Sequence, residues 1–197
     1  MFEWRWGGIR CRVSLLFPAL VTALLLCQPD GLAVTCLLAS LIHECGHLLA
    51  MLAVGVPPQN CTLGAFGMRM DLGRRLLNYK KNLFISLAGP LANGVTAWVL
   101  WMAGRPTAAV VHLTLAMLNL LPAAALDGGE LLRCGLCLLG LEVLATPLLR
   151  LTSALVLLPL AAASLWLCLR GGNPTLLIVG GYLTALVFFS DKCEKNS

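Results

Sequence analysis

Two histidines and a glutamate lie within five positions of one apolar stretch of the sequence. They are His43, Glu44 and His47, in the segment His-Glu-Cys-Gly-His. On a helix, residues four positions apart project from one face, roughly 6 Å apart, so two imidazole nitrogens can reach one tetrahedral zinc ion. Glu44 follows the first histidine and can accept a proton from a metal-bound water molecule. The HExxH pattern therefore predicts a metal site that has its own general base.

The apolar surroundings of this motif favour a functional interpretation. Residues 32–54 form a continuous apolar run, and side chains that ionise are costly to bury in such a segment. The alternative is a pair of structural histidines that form hydrogen bonds to neighbouring helices. We favour the metal site, because nothing else in the run would offset the cost of removing three polar groups from water.

A catalytic zinc ion generally has three protein ligands and one position open to water. The candidates for the third ligand at membrane depth are His112, Asp127, Glu130 and the cysteines. Asp127 is favoured, because Pro122 breaks the preceding helix and the two glycines after Asp127 let the backbone turn and direct a carboxylate inward. His112 lies about ten residues before that break, and we interpret it as a packing or interfacial histidine.

The composition indicates that membrane helices carry these residues. Of the 197 residues, 59% are hydrophobic and 12% are charged, whereas a soluble domain has roughly 25% charged residues. Crossing a bilayer takes about 20 helical residues. Six apolar runs reach or approach that length: residues 13–27, 32–54, 82–103, 107–126, 151–169 and 174–190. We expect an all-α polytopic membrane protein with six transmembrane helices, and a cytoplasmic or interfacial helix at residues 127–150.

The basic residues fall on one side of these spans. With the N-terminus inside, twelve of the 14 Lys and Arg lie on the inner side, and only Arg105 and Arg170 lie outside. Because basic loops stay in the cytoplasm, both termini are predicted to be cytoplasmic. The net charge of +5 then reflects membrane topology. No basic stripe with interleaved aromatic residues is present, so no nucleic-acid partner is expected.

One polar connection carries a strand pattern. In residues 66–72 the apolar side chains alternate with Gly, Arg and Asp, a period of two that is typical of a half-buried strand. One interpretation is an edge strand that binds an extended peptide, with Met68 and Met70 as its substrate-binding candidates. The other is an amphipathic interfacial loop. We expect a short membrane-associated β-like segment after the second helix.

Two further motifs follow HExxH along the chain. Residues 86–93 read Ser-Leu-Ala-Gly-Pro-Leu-Ala-Asn, and residues 119–129 contain Asn-Leu-Leu-Pro and Leu-Asp-Gly-Gly. Together the motifs resemble the site-2 protease family of intramembrane zinc metalloproteases. The short six-span form is similar to the stage IV sporulation FB branch. The resemblance covers residues 32–133, which we take as the catalytic core of a single domain over residues 1–197, without a PDZ or CBS domain.

The resemblance also implies a role for individual residues. It makes His43, His47 and Asp127 the ligands of one zinc ion, Glu44 the catalytic base, and Asn119 a residue that helps to hold the substrate backbone. It further implies that three residues shape the third span beside the site: Gly89, Pro90 and Asn93.

The implied function is hydrolysis of a peptide bond in or near a transmembrane segment of a membrane-tethered protein, as in regulated intramembrane proteolysis. The expected location is the bacterial cytoplasmic membrane or the membrane around the forespore, and the expected partners are the substrate and membrane regulator proteins. A sporulation role rests on the resemblance alone. The alternatives are a catalytically inactive membrane protein that binds clients and a zinc transporter. Both are disfavoured, because all ligands and the base are present and few polar residues continue along a transport path.

Overall fold

The computed structural model describes residues 2–6, 9–14, 18, 21–22, 31–64, 67–71 and 78–170. These residues are mostly helical, with one small sheet. In chain order the elements are β1 (Phe2–Trp6), β2 (Ile9–Val13), α1 (Leu32–Ala53), β3 (Asn60–Gly64), β4 (Gly67–Asp71), α2 (Tyr79–Met102), α3 (Pro106–Asn119), α4 (Asp127–Leu138) and α5 (Glu142–Leu169). They group into two compact units, residues 1–117 and residues 118–197.

Three of the described helices are long and apolar enough to cross a membrane. They are α1 with 22 residues, α2 with 24 and α5 with 28. The first two match the predicted spans at residues 32–54 and 82–103 to within three residues at each end. Most of the predicted span at residues 13–27 lies outside the described residues, and the predicted span at residues 174–190 lies wholly outside them. The number of six spans therefore stays a prediction.

Helix α3 is shorter than the predicted span at residues 107–126. It has 14 residues and ends at Asn119, which at 1.5 Å per residue gives about 21 Å, less than a hydrocarbon core of about 30 Å. Pro122 lies three residues beyond the end, and a proline there disfavours a further helical turn, because it lacks the N–H donor and its ring meets the preceding turn. The break predicted at Pro122 is therefore confirmed, and the apolar run of residues 107–126 is longer than its helix.

The predicted helix over residues 127–150 is also divided. Helix α4 ends at Leu138, and Gly140 has a φ of +74°, a left-handed conformation that glycine adopts easily at the end of a helix. Helix α5 then begins at Glu142. Residues 142–150 thus belong to the long apolar helix rather than to a separate interfacial one, and this helix begins nine residues before the predicted span at residues 151–169.

The sheet combines two strands that precede α1 in the sequence with two strands that follow it. The strand order is β1-β2-β3-β4; the outer pairs are antiparallel and β2 pairs with β3 in parallel. Glu3 and Arg12 stand opposite each other in β1 and β2 and form an ion pair of 3.0 Å. The strand predicted from the alternation at residues 66–72 is confirmed as β4, which is an edge strand of the described sheet.

Helices α1 and α2 pack closely against each other. A Cβ atom added to Gly46 would lie 2.7 Å from the Ala88 carbonyl oxygen and 2.9 Å from the Ala92 Cβ. Glycine at this position therefore lets the two backbones approach, as small residues do between membrane helices. At the β4 end of the pair, Met51 and Ile85 are buried and Met70 packs against them.

Candidate metal centre

His43 and His47 lie on one face of α1 and are both buried, with exposed fractions of 6% and 8%. Their Nε2 atoms are 3.1 Å apart and their rings are nearly perpendicular, at 85°. Two nitrogen ligands at the usual distances from a tetrahedral zinc ion are about 3.3 Å apart. The two imidazoles are thus arranged as neighbouring ligands of one ion.

The proton on His47 is placed by the backbone of α2. His47 Nδ1 lies 2.8 Å from the carbonyl oxygen of Ile85. A carbonyl oxygen only accepts, so Nδ1 carries the proton and donates it. The lone pair of Nε2 is then available to a metal, which is the usual arrangement of a metal-binding histidine and its outer partner.

Gly89 leaves space beside the two imidazole rings. A Cβ atom built on Gly89 would overlap His47 Nε2 and would lie 2.9 Å from His43 Cε1. A side chain at this position would therefore collide with both rings. The next residue, Pro90, has no N–H to donate to the carbonyl of Ser86, so α2 lacks one backbone hydrogen bond beside the site.

Asn93 lies against the other ring nitrogen of His43. It has no exposed surface, and its Nδ2 is 3.4 Å from His43 Nδ1. Its Oδ1 is 3.0 Å from Nδ1 of His112, which is 3% exposed on α3. Of the two interpretations of His112, the structure favours the packing histidine, because its ring is buried against Asn93. An ionisable side chain inside an apolar run was the sequence feature that could have indicated a buried contact of His112. The identity of its partner, Asn93, could not be predicted from the spacing.

Glu44 follows His43 in the sequence and is half-buried. Its charge affects the pKa of a cysteine in the sheet. Burial raises the pKa of the Cys61 thiol on β3, and the neighbouring Cys11 and the Glu44 carboxylate raise that pKa further. Cys11 is the partner of Cys61 in the parallel pair of β2 and β3. The predicted base is thus within electrostatic range of the third strand.

Asp127 is the first residue of α4, in the second compact unit, and is half-buried. The two glycines after it do not provide a left-handed turn, because neither has a positive φ. They provide space instead: a Cβ on Gly128 would overlap the Leu120 carbonyl oxygen, and one on Gly129 would overlap that of Ala123. The predicted reason for these glycines was wrong, although both lie where α4 meets the preceding loop.

A hydrogen bond to α5 holds the loop before Asp127. The backbone N–H of Ala124 donates to Ser153 Oγ at 2.9 Å, and that hydroxyl donates to the Leu149 carbonyl at 2.6 Å. Ser153 has no exposed surface. The loop that carries the aspartate is therefore fixed by a buried side chain of its own unit.

The remaining candidates lie on α3 and β4. Asn119 is the last residue of α3 and is half-buried. Met68 and Met70 belong to the edge strand β4, where Met70 packs against the buried Met51 and Ile85. The side chain of Met70 therefore supports the sheet.

Comparison with known proteins shows what the chain is similar to. No family model matches. Rip3 of Mycobacterium tuberculosis, named as a zinc metalloprotease, is 36% identical over 132 residues, which are 59% of this chain and 33% of Rip3. The Synechocystis protein sll0528, also named as a zinc metalloprotease, is 32% identical over 110 residues, 49% of this chain and 29% of its own. The chain thus spans about a third of the length of these relatives.

The fold has a solved counterpart. The structure of the site-2 protease from Methanocaldococcus jannaschii matches with a TM-score of 0.63, covers 92% of each chain and is 21% identical in sequence. The resemblance indicated by the motifs is therefore confirmed at the level of the fold: the chain has the site-2 protease fold, and part of its sequence is similar to two proteins named as zinc metalloproteases.

Proposed function

We propose that this chain is an intramembrane zinc metalloendopeptidase. In this proposal His43, His47 and Asp127 hold one zinc ion and Glu44 is the general base. The observation that carries it is the pair of buried Nε2 atoms, 3.1 Å apart, beside Gly89, where a Cβ atom would overlap the ring of His47.

The donor set supports zinc as the metal. The proposed donors are two imidazoles and a carboxylate, those of His43, His47 and Asp127. This is the type of ligand set that catalytic zinc sites use, with three protein ligands and one open position. A zinc ion bound there supplies Lewis-acid chemistry, since it lowers the pKa of a water molecule and polarises a peptide carbonyl.

Glu44 is the proposed general base. It lies one residue after His43 in the HExxH motif and is half-buried, which supports a base that is a neighbour of the ligands in the sequence without being one of them. It takes a proton from the attacking water and later delivers it to the nitrogen of the leaving amine. His47 keeps its proton on Nδ1 throughout, because the Ile85 carbonyl holds it there.

The proposed substrate is a membrane-tethered protein that presents an extended segment. A helical substrate hides its carbonyls in hydrogen bonds, whereas β4 is an edge strand among the described residues, and the backbone groups of an edge strand can pair with another strand. The Met70 side chain packs inward, so pairing at Met68 and Met70 would use backbone atoms. Asn119 is proposed to help hold the substrate backbone.

We further propose the finer topology. The six spans include residues 13–27 and 174–190, both termini are cytoplasmic, and the membrane is the bacterial cytoplasmic membrane. The excess of basic residues on one side of the spans supports this orientation. The same proposal includes a single domain with its core at residues 32–133 and membrane regulator proteins as partners. It also includes a sporulation role, which is tested by asking whether the gene is expressed only in sporulating cells.

The test is co-expression of the full chain with a panel of single-span substrates, followed by cleavage assays on purified protein with zinc or with a chelator. We expect cleavage that needs zinc and that Glu44→Gln abolishes. The exposed Glu142→Gln is the matched control and should cleave normally. Equal cleavage by the wild type and Glu44→Gln would refute the role of Glu44 as the general base. Zinc binding without cleavage would favour a client-binding protein, and zinc uptake into vesicles would favour a transporter.

A further inference from the structure

Three buried polar side chains connect α1, α2 and α3. His43 on α1, Asn93 on α2 and His112 on α3 are 6%, 0% and 3% exposed. The Asn93 amide lies between the two rings, 3.4 Å from His43 Nδ1 and 3.0 Å from His112 Nδ1. Because buried polar atoms are costly to leave without partners, the protonation of each group constrains that of the next.

In the structure the hydrogen bonds of these three side chains are donated in one direction, from His112 through Asn93 to His43. His112 Nδ1 faces Asn93 Oδ1, so it donates, and Asn93 Nδ2 then donates to His43 Nδ1. A neutral imidazole has one donor and one acceptor nitrogen. His43 consequently carries its proton on Nε2, where it can donate to His47 Nε2 at 3.1 Å.

A metal ligand requires the opposite direction at His43. To bind through Nε2, His43 must hold its proton on Nδ1, and that N–H needs an acceptor. The acceptor is Asn93 Oδ1 when the side-chain amide is flipped by 180°. The flip exchanges the positions of Oδ1 and Nδ2, which are similar in size. The NH₂ group of Asn93 then faces His112, whose Nδ1 must accept and whose proton must lie on Nε2.

We propose that His112 is a positioning residue for the metal ligand His43. By accepting a hydrogen bond at Nδ1, it holds the Asn93 amide with its oxygen toward His43 and so keeps His43 in the tautomer that binds metal. This inference rests on the metal centre proposed above and concerns metal affinity, not cleavage. His112 itself contacts neither metal nor substrate.

The first test measures zinc affinity of the purified full chain by competition with a chelator. Loss of an outer partner of a ligand typically weakens metal binding about 10- to 100-fold, so His112→Phe should lose about tenfold. His112→Gln, whose Oε1 can accept from the Asn93 amide, should stay within about threefold of the wild type. Leu113→Phe, at a position that is 51% exposed on the same helix, is the matched control. His112→Phe binding within twofold of the wild type would overturn the proposal.

A double substitution separates positioning from simple packing. In the Asn93→Asp background a carboxylate accepts from His43 without help from His112. His112→Phe should then change zinc affinity by less than about twofold, instead of the tenfold loss expected in the wild-type background. Equal losses in both backgrounds would mean that His112 only packs, and the proposal would fail.

The wild-type protein provides a test that no folding defect can obscure. The chain has three histidines, so long-range ¹H–¹⁵N correlation spectra of histidine-labelled, zinc-loaded protein report three imidazoles. We expect the proton of His112 on Nε2 and that of His43 on Nδ1; a proton on Nδ1 of His112 would overturn the proposal. Failure of the wild type to bind zinc would overturn the proposed function as well, whereas zinc binding that His112 does not affect would overturn this inference alone.

Discussion

The sharpest test of the metal centre is the replacement Gly89→Ala. The new Cβ would overlap His47 Nε2 and lie 2.7 Å from His47 Cε1, where ordinary contacts begin at 3.4 Å. The ring must therefore move by at least about 0.7 Å to clear Cε1, and the overlap at Nε2 requires more. Metal–ligand distances tolerate only about 0.2 Å, and a misplacement of about 1 Å can cost about a hundredfold in rate. We expect zinc affinity and cleavage each to fall by about a hundredfold.

The control lies five residues along the same helix. A Cβ at Gly94 meets nothing within 4 Å, and alanine favours a helix over glycine by about 1 kcal/mol, so Gly94→Ala should keep both activities and its stability. Zinc content after dialysis and cleavage of a single-span substrate are measured for both variants, with thermal unfolding as the check on folding. If Gly89→Ala folds and binds zinc within threefold of the wild type, the two histidines beside Gly89 do not hold the metal.

Four other predictions follow from the same geometry. Glu44→Gln should lower the cleavage rate by about a hundredfold to ten-thousandfold while zinc content stays at the wild-type level; a matching loss of zinc would mean that Glu44 is not only a base. Met68→Pro and Met70→Pro, which each remove a backbone donor of β4, should abolish cleavage with zinc retained, and unchanged cleavage would exclude pairing at this strand. Gly128→Ala should destabilise the protein by about 1–3 kcal/mol, because its Cβ overlaps the Leu120 carbonyl. Gly135→Ala, with open space around it, should not, and equal Tm values for the two would contradict the packing argument. Because the Glu44 charge raises the pKa of Cys61, Glu44→Gln should lower that pKa and speed alkylation of Cys61 at a fixed pH below it, as measured by peptide mass spectrometry; an unchanged rate would place Glu44 away from β3.

The apolar runs were sufficient to predict the two helices that carry His43, His47 and Asn93. Both runs are apolar apart from a few polar side chains, and α1 and α2 end within three residues of the expected limits. The helix boundary at Gly140 was not predicted, because apolar side chains continue through the position where the backbone stops being helical. Hydropathy reports the surroundings of a segment, whereas a left-handed glycine is a feature of the backbone that ends a helix.

Contacts between distant parts of the sequence could not be predicted from spacing. The alternation at residues 66–72 predicted β4, but the parallel pairing of β2 with β3 joins residues about fifty positions apart. The contact of His112 with Asn93 likewise depends on how α2 and α3 pack. In contrast, HExxH was readable because both histidines stand on one helix, where local geometry alone brings them together.

The close approach of α1 and α2 at Gly46 has an evolutionary consequence. The reach of Asn93 to His43 is already 3.4 Å, so it tolerates little additional separation between the two helices. A lineage that replaced Gly46 with alanine would push the helices apart, because the new Cβ meets the Ala88 carbonyl at 2.7 Å. Such a change can persist only with a longer amide, such as glutamine, at position 93. Among relatives, residue size at position 46 and side-chain length at position 93 should therefore covary, although neither residue is a metal ligand.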